Sequence, residues 1–113
     1  MYRYEWNGNG TLGAREVFTD LVDRNRKSGF TGGDGLAVGS NRFLYCAVVG
    51  QGDVTVVDTA GSVVERIIVG GDQPTNVAFG SRDSGDLYVT VKDAGTLERC
   101  QVGVSGLPLH LQA

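Results

Sequence analysis

Hydrophobic residues fall in short runs along this chain, and glycine-rich or polar residues separate the runs. From residue 36 onward the runs have the length of β-strands and contain many of the β-branched and aromatic residues that sheets favour. Segments such as Gly50-Gln-Gly52 and Gly70-Gly71 are typical of turns. The pattern predicts strands at 36–38, 43–49, 54–57, 63–69, 75–79, 87–91 and 96–102.

The strands follow an internal repeat. Leu36-Ala-Val-Gly39 matches Val77-Ala-Phe-Gly80 at an offset of 41 residues, and Leu44-Tyr45 matches Leu87-Tyr88 at an offset of 43. Strand-rich repeats of about 40 to 50 residues are typical of β-propeller blades. A blade cannot bury both of its faces alone, so neighbouring blades must stack on it. We therefore predict an all-β fold of antiparallel propeller blades.

The first 34 residues have a weaker pattern that leaves two interpretations open. Tyr2-Arg-Tyr-Glu-Trp6 alternates like a strand, and Asn7-Gly-Asn-Gly10 has the composition of a tight hairpin turn. The apolar spacing over 14–25 fits one face of a helix, whereas 16–21 fits the outer strand of a hairpin. We favour the strand, because a propeller blade has no place for an isolated helix.

Composition excludes several classes of protein. The chain has the length of one domain, and its net charge of -3 argues against a nucleic-acid partner. It has no apolar run of about 18 residues and no signal-peptide core, so no membrane association is expected. Cys46 and Cys100 lie in apolar segments, and we expect both to be reduced core residues of a cytoplasmic protein. The basic stretch Arg24-Asn-Arg-Lys27 is predicted to be a solvated loop.

Two further features of the sequence do not indicate chemistry. Gly8-Asn-Gly-Thr-Leu-Gly13 matches the dinucleotide-binding fingerprint, but the strand repeat contradicts the βαβ unit that this motif needs, so we interpret the match as coincidence. The single histidine, His110, lies in a segment predicted to be irregular. A histidine-based triad or a zinc site is therefore not expected.

Three segments carry a family resemblance. Gly33-Asp-Gly-Leu-Ala-Val38 precedes Leu44-Tyr45, Pro74-Thr-Asn-Val-Ala-Phe-Gly80 precedes Leu87-Tyr88, and the chain continues to Val104-Ser-Gly-Leu-Pro-Leu109. These segments resemble a Pro-Asp-Gly-Leu blade, the final blade and the C-terminal end of the senescence marker protein/gluconolactonase/luciferin-regenerating enzyme family. The resemblance covers nearly the whole chain and is specific from residue 33 to residue 109.

The resemblance implies a six-bladed propeller with a central divalent metal, usually calcium, that hydrolyses sugar lactones or related esters. This chain would supply two to two and a half of those blades, and oligomerisation as a trimer or dimer could complete the ring. The implied segments are the outer hairpin of a preceding blade at 1–32, a full blade at 33–70, the final blade at 71–102 and a C-terminal tail at 103–113.

Asp34 is the main candidate site residue, since it matches the family's metal-binding aspartate, which also acts as general acid and base. Hard cations bind carboxylate oxygens and polarise carbonyl groups. Thr75 and Asn76 occupy the equivalent point of the next repeat and are candidates for binding substrate hydroxyls. From the residues alone, Asp34 could instead be a turn aspartate bonded within its own loop, and Thr75-Asn76 a strand-entry turn.

Two functions therefore remain open at the level of sequence. One is metal-dependent hydrolysis of a small-molecule lactone, with Asp34 as metal ligand and catalytic residue. The family's other ligands, a glutamate and asparagines on earlier blades, have no counterpart in this chain. The other is a non-catalytic, truncated propeller that acts as a structural or binding module and oligomerises through its open sheet edges.

Overall fold

The computed structural model describes residues 1–26 and 28–109 of the 113-residue chain. Lys27 of the basic stretch and residues 110–113, including His110, lie outside the described residues. The described part contains nine strands and no helix, so it has no helix long and apolar enough to cross a membrane. The strands are β1 (Tyr2–Arg3), β2 (Glu16–Val17), β3 (Gly32–Val38), β4 (Leu44–Val49), β5 (Asp53–Val57), β6 (Val63–Ile68), β7 (Pro74–Phe79), β8 (Asp86–Val91) and β9 (Thr96–Gln101).

The nine strands form three antiparallel sheets in chain order. β1 and β2 make a two-stranded N-terminal hairpin, β3 to β6 make a four-stranded full blade, and β7 to β9 make a three-stranded final blade. Every strand pairs with its neighbour in sequence, as expected for meandering propeller blades. The predicted all-β fold of two to two and a half antiparallel blades is confirmed.

The full blade is the middle layer of the molecule. One of its faces packs on the final blade, and Tyr45 meets Phe79 edge to face with ring centroids 5.0 Å apart. The opposite face packs on residues from the first 21 positions of the chain, including Met1, Phe18 and Leu21. The buried core of the first interface is formed by Tyr45, Ala47, Val54, Val56, Val69, Val77, Leu87, Val89 and Val91.

The segment from 14 to 25 is neither a helix nor the long strand that we favoured. β2 covers only Glu16–Val17, and the chain then runs without regular structure to a turn at 24–26. Side chains satisfy much of this backbone, because Asp20 accepts from the Val22 N–H and Gln51 donates to the Leu21 carbonyl. Leu21 itself is buried in the core.

Residues 24–26 of the basic stretch form a turn, but the solvated loop that we predicted is wrong for Arg26. Arg26 donates to the Asp53 carboxylate at 2.7 Å, and Asp53 is fully buried. Gln51 and Thr55 donate to the same carboxylate at 3.0 and 2.7 Å. This buried polar network ties the loop at 20–26 to the middle strands of the full blade.

The predicted tail is irregular as far as Leu109, but it is attached to the full blade. The Ser40 N–H donates to the Ser105 carbonyl and the Leu107 N–H donates to the Val38 carbonyl, both at 2.8 Å. Gly39 and Gly106 form an isolated bridge between them. The tail therefore closes over the end of the innermost strand, β3.

Candidate functional site

The innermost strands of the two blades, β3 and β7, lie side by side, and each contains a bulge. In β3, Gly33 is opposite Val48 and Leu36 is opposite Cys46, so two residues face one on the neighbouring strand. Those two residues are Asp34 and Gly35. Bulges re-aim side chains and are common beside functional sites.

The bulge in β7 lies at the matching point of its blade. Pro74 is opposite Val91 and Asn76 is opposite Thr90, which leaves Thr75 as the extra residue. All three residues selected from the sequence thus lie at or directly beside a bulge on an inner strand. Their roles in binding or catalysis remain predictions.

The two bulges adjoin each other at Gly35. A β-carbon at this position would overlap the Asn76 carboxamide, at 2.7 Å from its Cγ and closer still to its oxygen. Only glycine allows such a close approach of one strand to the next blade. The structure therefore brings the Asp34-Gly35 bulge and Asn76 together, although they are more than 40 residues apart in sequence.

The three side chains differ in how much of their bonding capacity is already used. The Asp34 carboxylate is exposed and accepts no hydrogen bond from another side chain or N–H of the described residues. Asn76 accepts from the Val77 N–H at 3.0 Å, and the Thr75 hydroxyl lies 2.9 Å from that of Thr90. Asp34 is therefore the group with the most capacity for a ligand, and the hydrogen-bonded turn that we considered for it is not formed.

Cys46 lies close to the Asp34 bulge on the neighbouring strand. Burial raises the pKa of the Cys46 thiol, the nearby backbone N–H of Asp34 partly offsets this rise, and the negative charge of Asp34 adds to it. A β-carbon on Gly33 would lie 2.7 Å from the Leu21 side chain and 3.2 Å from the Cys46 sulfur. Sequence analysis identified Cys46 as a core residue but gave no signal that it lies beside the candidate site.

The residues at the two bulges do not form a calcium site by themselves. Calcium binds six to eight oxygen atoms. Within 1–26 and 28–109 no group of three or more acidic, histidine or cysteine side chains is placed to hold a metal. The Asp34–Gly35 bulge and Asn76 adjoin, but they contribute only one carboxylate and one amide oxygen, and the oxygen of Asn76 already accepts one hydrogen bond.

An open cleft of about 1000 Å³ runs from Asn76 along the inner strands to the tail. Its walls are mainly apolar, with Leu36 and Phe79 on the strands and Leu107 on the tail, and Arg82 lies at the far end. The tail was predicted only to be irregular, so its contribution to this wall was missed. The apolar Leu107-Pro-Leu109 run was the available signal.

Comparisons with known proteins agree with this architecture. The family model for the SMP-30/Gluconolactonase/LRE-like region matches residues 1–93. Regucalcin from Agrobacterium tumefaciens strain C58, described as a calcium-binding protein, is 29% identical and superimposes with a TM-score of 0.69 over 88% of this chain and 37% of its own. No curated protein sequence matches the chain.

A luciferin-regenerating enzyme supports the fold alone. It is 17% identical, and the superposition has a TM-score of 0.71 and covers 94% of this chain and 38% of that enzyme. The chain therefore spans less than two fifths of the length of either solved protein.

Proposed function

We propose that the Asp34 bulge takes part in the metal-dependent hydrolysis of a sugar lactone or related ester. The premise is that this chain belongs to the SMP-30/gluconolactonase/LRE-like family. The observation that carries the proposal is the pair of adjoining bulges. They bring the Asp34–Gly35 bulge, which carries an exposed carboxylate with unused bonding capacity, against Asn76 on the strands that line the open cleft.

In the proposed reaction the Asp34 carboxylate acts as a general base. It accepts a proton from a water molecule while the water oxygen forms a bond to the lactone carbonyl carbon. The bond from that carbon to the ring oxygen then breaks, and the proton passes from Asp34 to the ring oxygen. The product is the open-chain hydroxy acid. Thr75 and Asn76 would orient the substrate through its hydroxyl groups.

Asp34 would also be one ligand of the metal, which would polarise the lactone carbonyl when bound. Calcium is the proposed ion, because the similar A. tumefaciens protein is described as calcium-binding. The described residues supply too few oxygens to complete such a site. The remaining ligands would therefore have to come from outside the described part of this chain.

Substitution of Asp34 by asparagine tests this proposal. We expect Asp34→Asn to abolish calcium binding measured by isothermal titration calorimetry and to lower gluconolactone hydrolysis at least about 100-fold, in the range of a general-base effect. Asp83→Asn is the matched control, because Asp83 is an exposed carboxylate in the turn between β7 and β8. Equal effects of the two substitutions would contradict a specific role for Asp34.

A non-catalytic structural or binding module is the second candidate. The observation that favours it is that, among the described residues, the Asp34 carboxylate is not part of a group of three or more side chains able to hold a metal. On this alternative the unmodified chain binds no calcium in the calorimeter and hydrolyses gluconolactone no faster than buffer does. The same two measurements therefore separate the two functions before any substitution is made.

A further inference from the structure

The N-terminal hairpin exposes several large apolar side chains. Alternation puts Tyr2, Tyr4 and Trp6 on one side of the first strand segment, and they are 55%, 48% and 63% exposed. Val17 pairs with Tyr2 and Leu12 pairs with Trp6, so both extend the same side, and both are more than half exposed. We call these five side chains the aromatic row.

The aromatic row offers a sizeable apolar surface. An aromatic side chain presents roughly 150–250 Å², so three half-exposed rings with Leu12 and Val17 offer on the order of 400 Å² of mostly apolar surface. That is about half of the ~800 Å² that one partner contributes to a standard interface. The largest apolar patch on a typical monomer is of about this size and is often functional. The opposite side of the hairpin is already used, because Met1 packs towards the full blade.

The other end of the molecule also has an uncovered face. One face of the final blade packs on the full blade, and strand alternation places Ala78, Tyr88 and Arg99 together on the opposite face. Leu97 lies on the same face and is 66% exposed. No acidic side chain of the described residues forms an ion pair with Arg99.

We propose that the aromatic row binds the uncovered face of the final blade of a second copy of this chain. The two surfaces are complementary, since one offers electron-rich rings and the other a guanidinium group beside Tyr88 and Leu97. The row already accepts one such group, because the Arg15 guanidinium lies 4.5 Å from the centroid of the Tyr2 ring. Arg99 of the second copy would bind Tyr4 or Trp6 in the same way.

This contact is head to tail, because the two surfaces lie at opposite ends of a stack in which the full blade is the middle layer. Each copy that binds through its hairpin leaves its own final blade free to bind another. Such an interface produces closed rings or open chains instead of a two-fold dimer. The inference concerns assembly and is independent of whether Asp34 catalyses lactone hydrolysis.

The experiment measures solution mass against concentration by light scattering for the unmodified chain and two charged variants. Trp6→Glu disrupts the aromatic row, and Leu97→Glu disrupts the face of the final blade. We expect each variant alone to associate at least about 30-fold more weakly, as for an interface hot spot. Val64→Glu is the control, because Val64 is 50% exposed on the outermost strand of the full blade, outside both surfaces.

Mixing the two variants tests the head-to-tail geometry. Leu97→Glu retains an intact hairpin and Trp6→Glu retains an intact final blade, so an equimolar mixture should form heterodimers that grow no further. Circular dichroism checks that each variant keeps its β-sheet signal. The proposal is overturned if the unmodified chain is monomeric at all concentrations, if Val64→Glu weakens association equally, or if the folded variants fail to complement each other.

Discussion

The two faces of the full blade are stabilised in different ways. The face towards the final blade is closed by apolar side chains, with Val54, Val56, Leu87 and Val89 almost fully buried and the Tyr45–Phe79 ring pair at its edge. The face towards the N-terminal segment has a smaller apolar cluster and a buried carboxylate, Asp53. The same sheet thus has an apolar interface on one face and a buried polar network on the other.

The difference follows from what each face has to hold. The final blade is a sheet, so it satisfies its own backbone and can offer a broad apolar surface. Phe18 and Thr19 pair with the backbone of Met1, but the segment at 20–26 has no strand partner, so its backbone needs side chains as partners. Arg66 donates to the Leu21 carbonyl at 2.8 Å, and Gln51 accepts from the Asp23 N–H at 2.7 Å. Polar burial on this face therefore replaces the hydrogen bonds that a sheet would supply.

Removal of the Asp53 carboxylate should have the largest effect on stability. Asp53→Ala leaves the Arg26 guanidinium without its anion, the Thr55 hydroxyl without its acceptor, and Gln51 with the Leu21 carbonyl as its remaining acceptor. Breaking a buried pair in this way costs about 3–5 kcal/mol, and we expect about 4 kcal/mol from urea unfolding. Asp83→Ala, an exposed carboxylate, should change the free energy of unfolding by less than about 0.5 kcal/mol. A small effect of Asp53→Ala would mean that the polar face contributes little.

Truncation of Leu87 probes the apolar face and should have the next largest effect. Leu87 is fully buried between the two blades. Leucine-to-alanine substitutions in protein cores cost about 2–5 kcal/mol, and we expect about 3 kcal/mol from urea unfolding. This loss should not depend on ionic strength, because no charge is removed. A loss below about 1 kcal/mol would show that the final blade is only loosely packed on the full blade.

The strands could be predicted because their signals are local. Runs such as 54–57 and 87–91 combine β-branched residues with turn chemistry at both ends, and the observed strands β5 and β8 begin within one residue of them. The antiparallel meander follows from the short turns. In contrast, 14–21 is apolar at spacings that fit a helix or a strand, and the structure uses neither over most of that segment.

The candidate site was only partly predictable. Asp34 was found through the family resemblance, and Thr75 and Asn76 were found because they occupy the equivalent point of the next repeat. Their bulges and the contact of Gly35 with Asn76 depend on strand register and blade packing, which no local pattern encodes. The pairing of Arg26 with Asp53 was missed for the same reason. Arg26 lies in a charged stretch typical of a solvated loop, and its partner is 27 residues away.

The pH dependence of stability should also distinguish the two faces of the full blade, with a smaller effect than the substitutions of Asp53 and Leu87. Burial raises the pKa of the Cys46 thiol above its ordinary value of 9.0. As the pH rises past about 9, the unfolded chain therefore loses this proton before the folded chain does, and the free energy of unfolding falls. Each group contributes a slope of at most about 1.4 kcal/mol per pH unit.

Cysteine variants show which face of the full blade causes the decline of the free energy of unfolding with pH. Cys46→Ala should flatten the decline above about pH 9 more than Cys100→Ala does. Burial also raises the pKa of Cys100, with a smaller contribution from Glu98, but its side chain is only half-buried. Urea titrations at each pH provide the measurement. A larger change for Cys100→Ala would place the pH-sensitive thiol on the apolar side of the full blade.

The smallest effect is expected at the exposed ion pair of the N-terminal hairpin. Arg3 and Glu16 are 3.0 Å apart, as close as many buried pairs, but their side chains are 57% and 63% exposed. Water and salt screen such a pair, and exposed pairs contribute about 0.2–1 kcal/mol at most. Glu16→Gln removes the charge while leaving Arg3 over the Phe18 ring, 5.2 Å from its centroid. We expect a loss below about 0.5 kcal/mol that disappears in 1 M salt; a loss approaching that of Asp53→Ala would show that burial does not distinguish the two ion pairs.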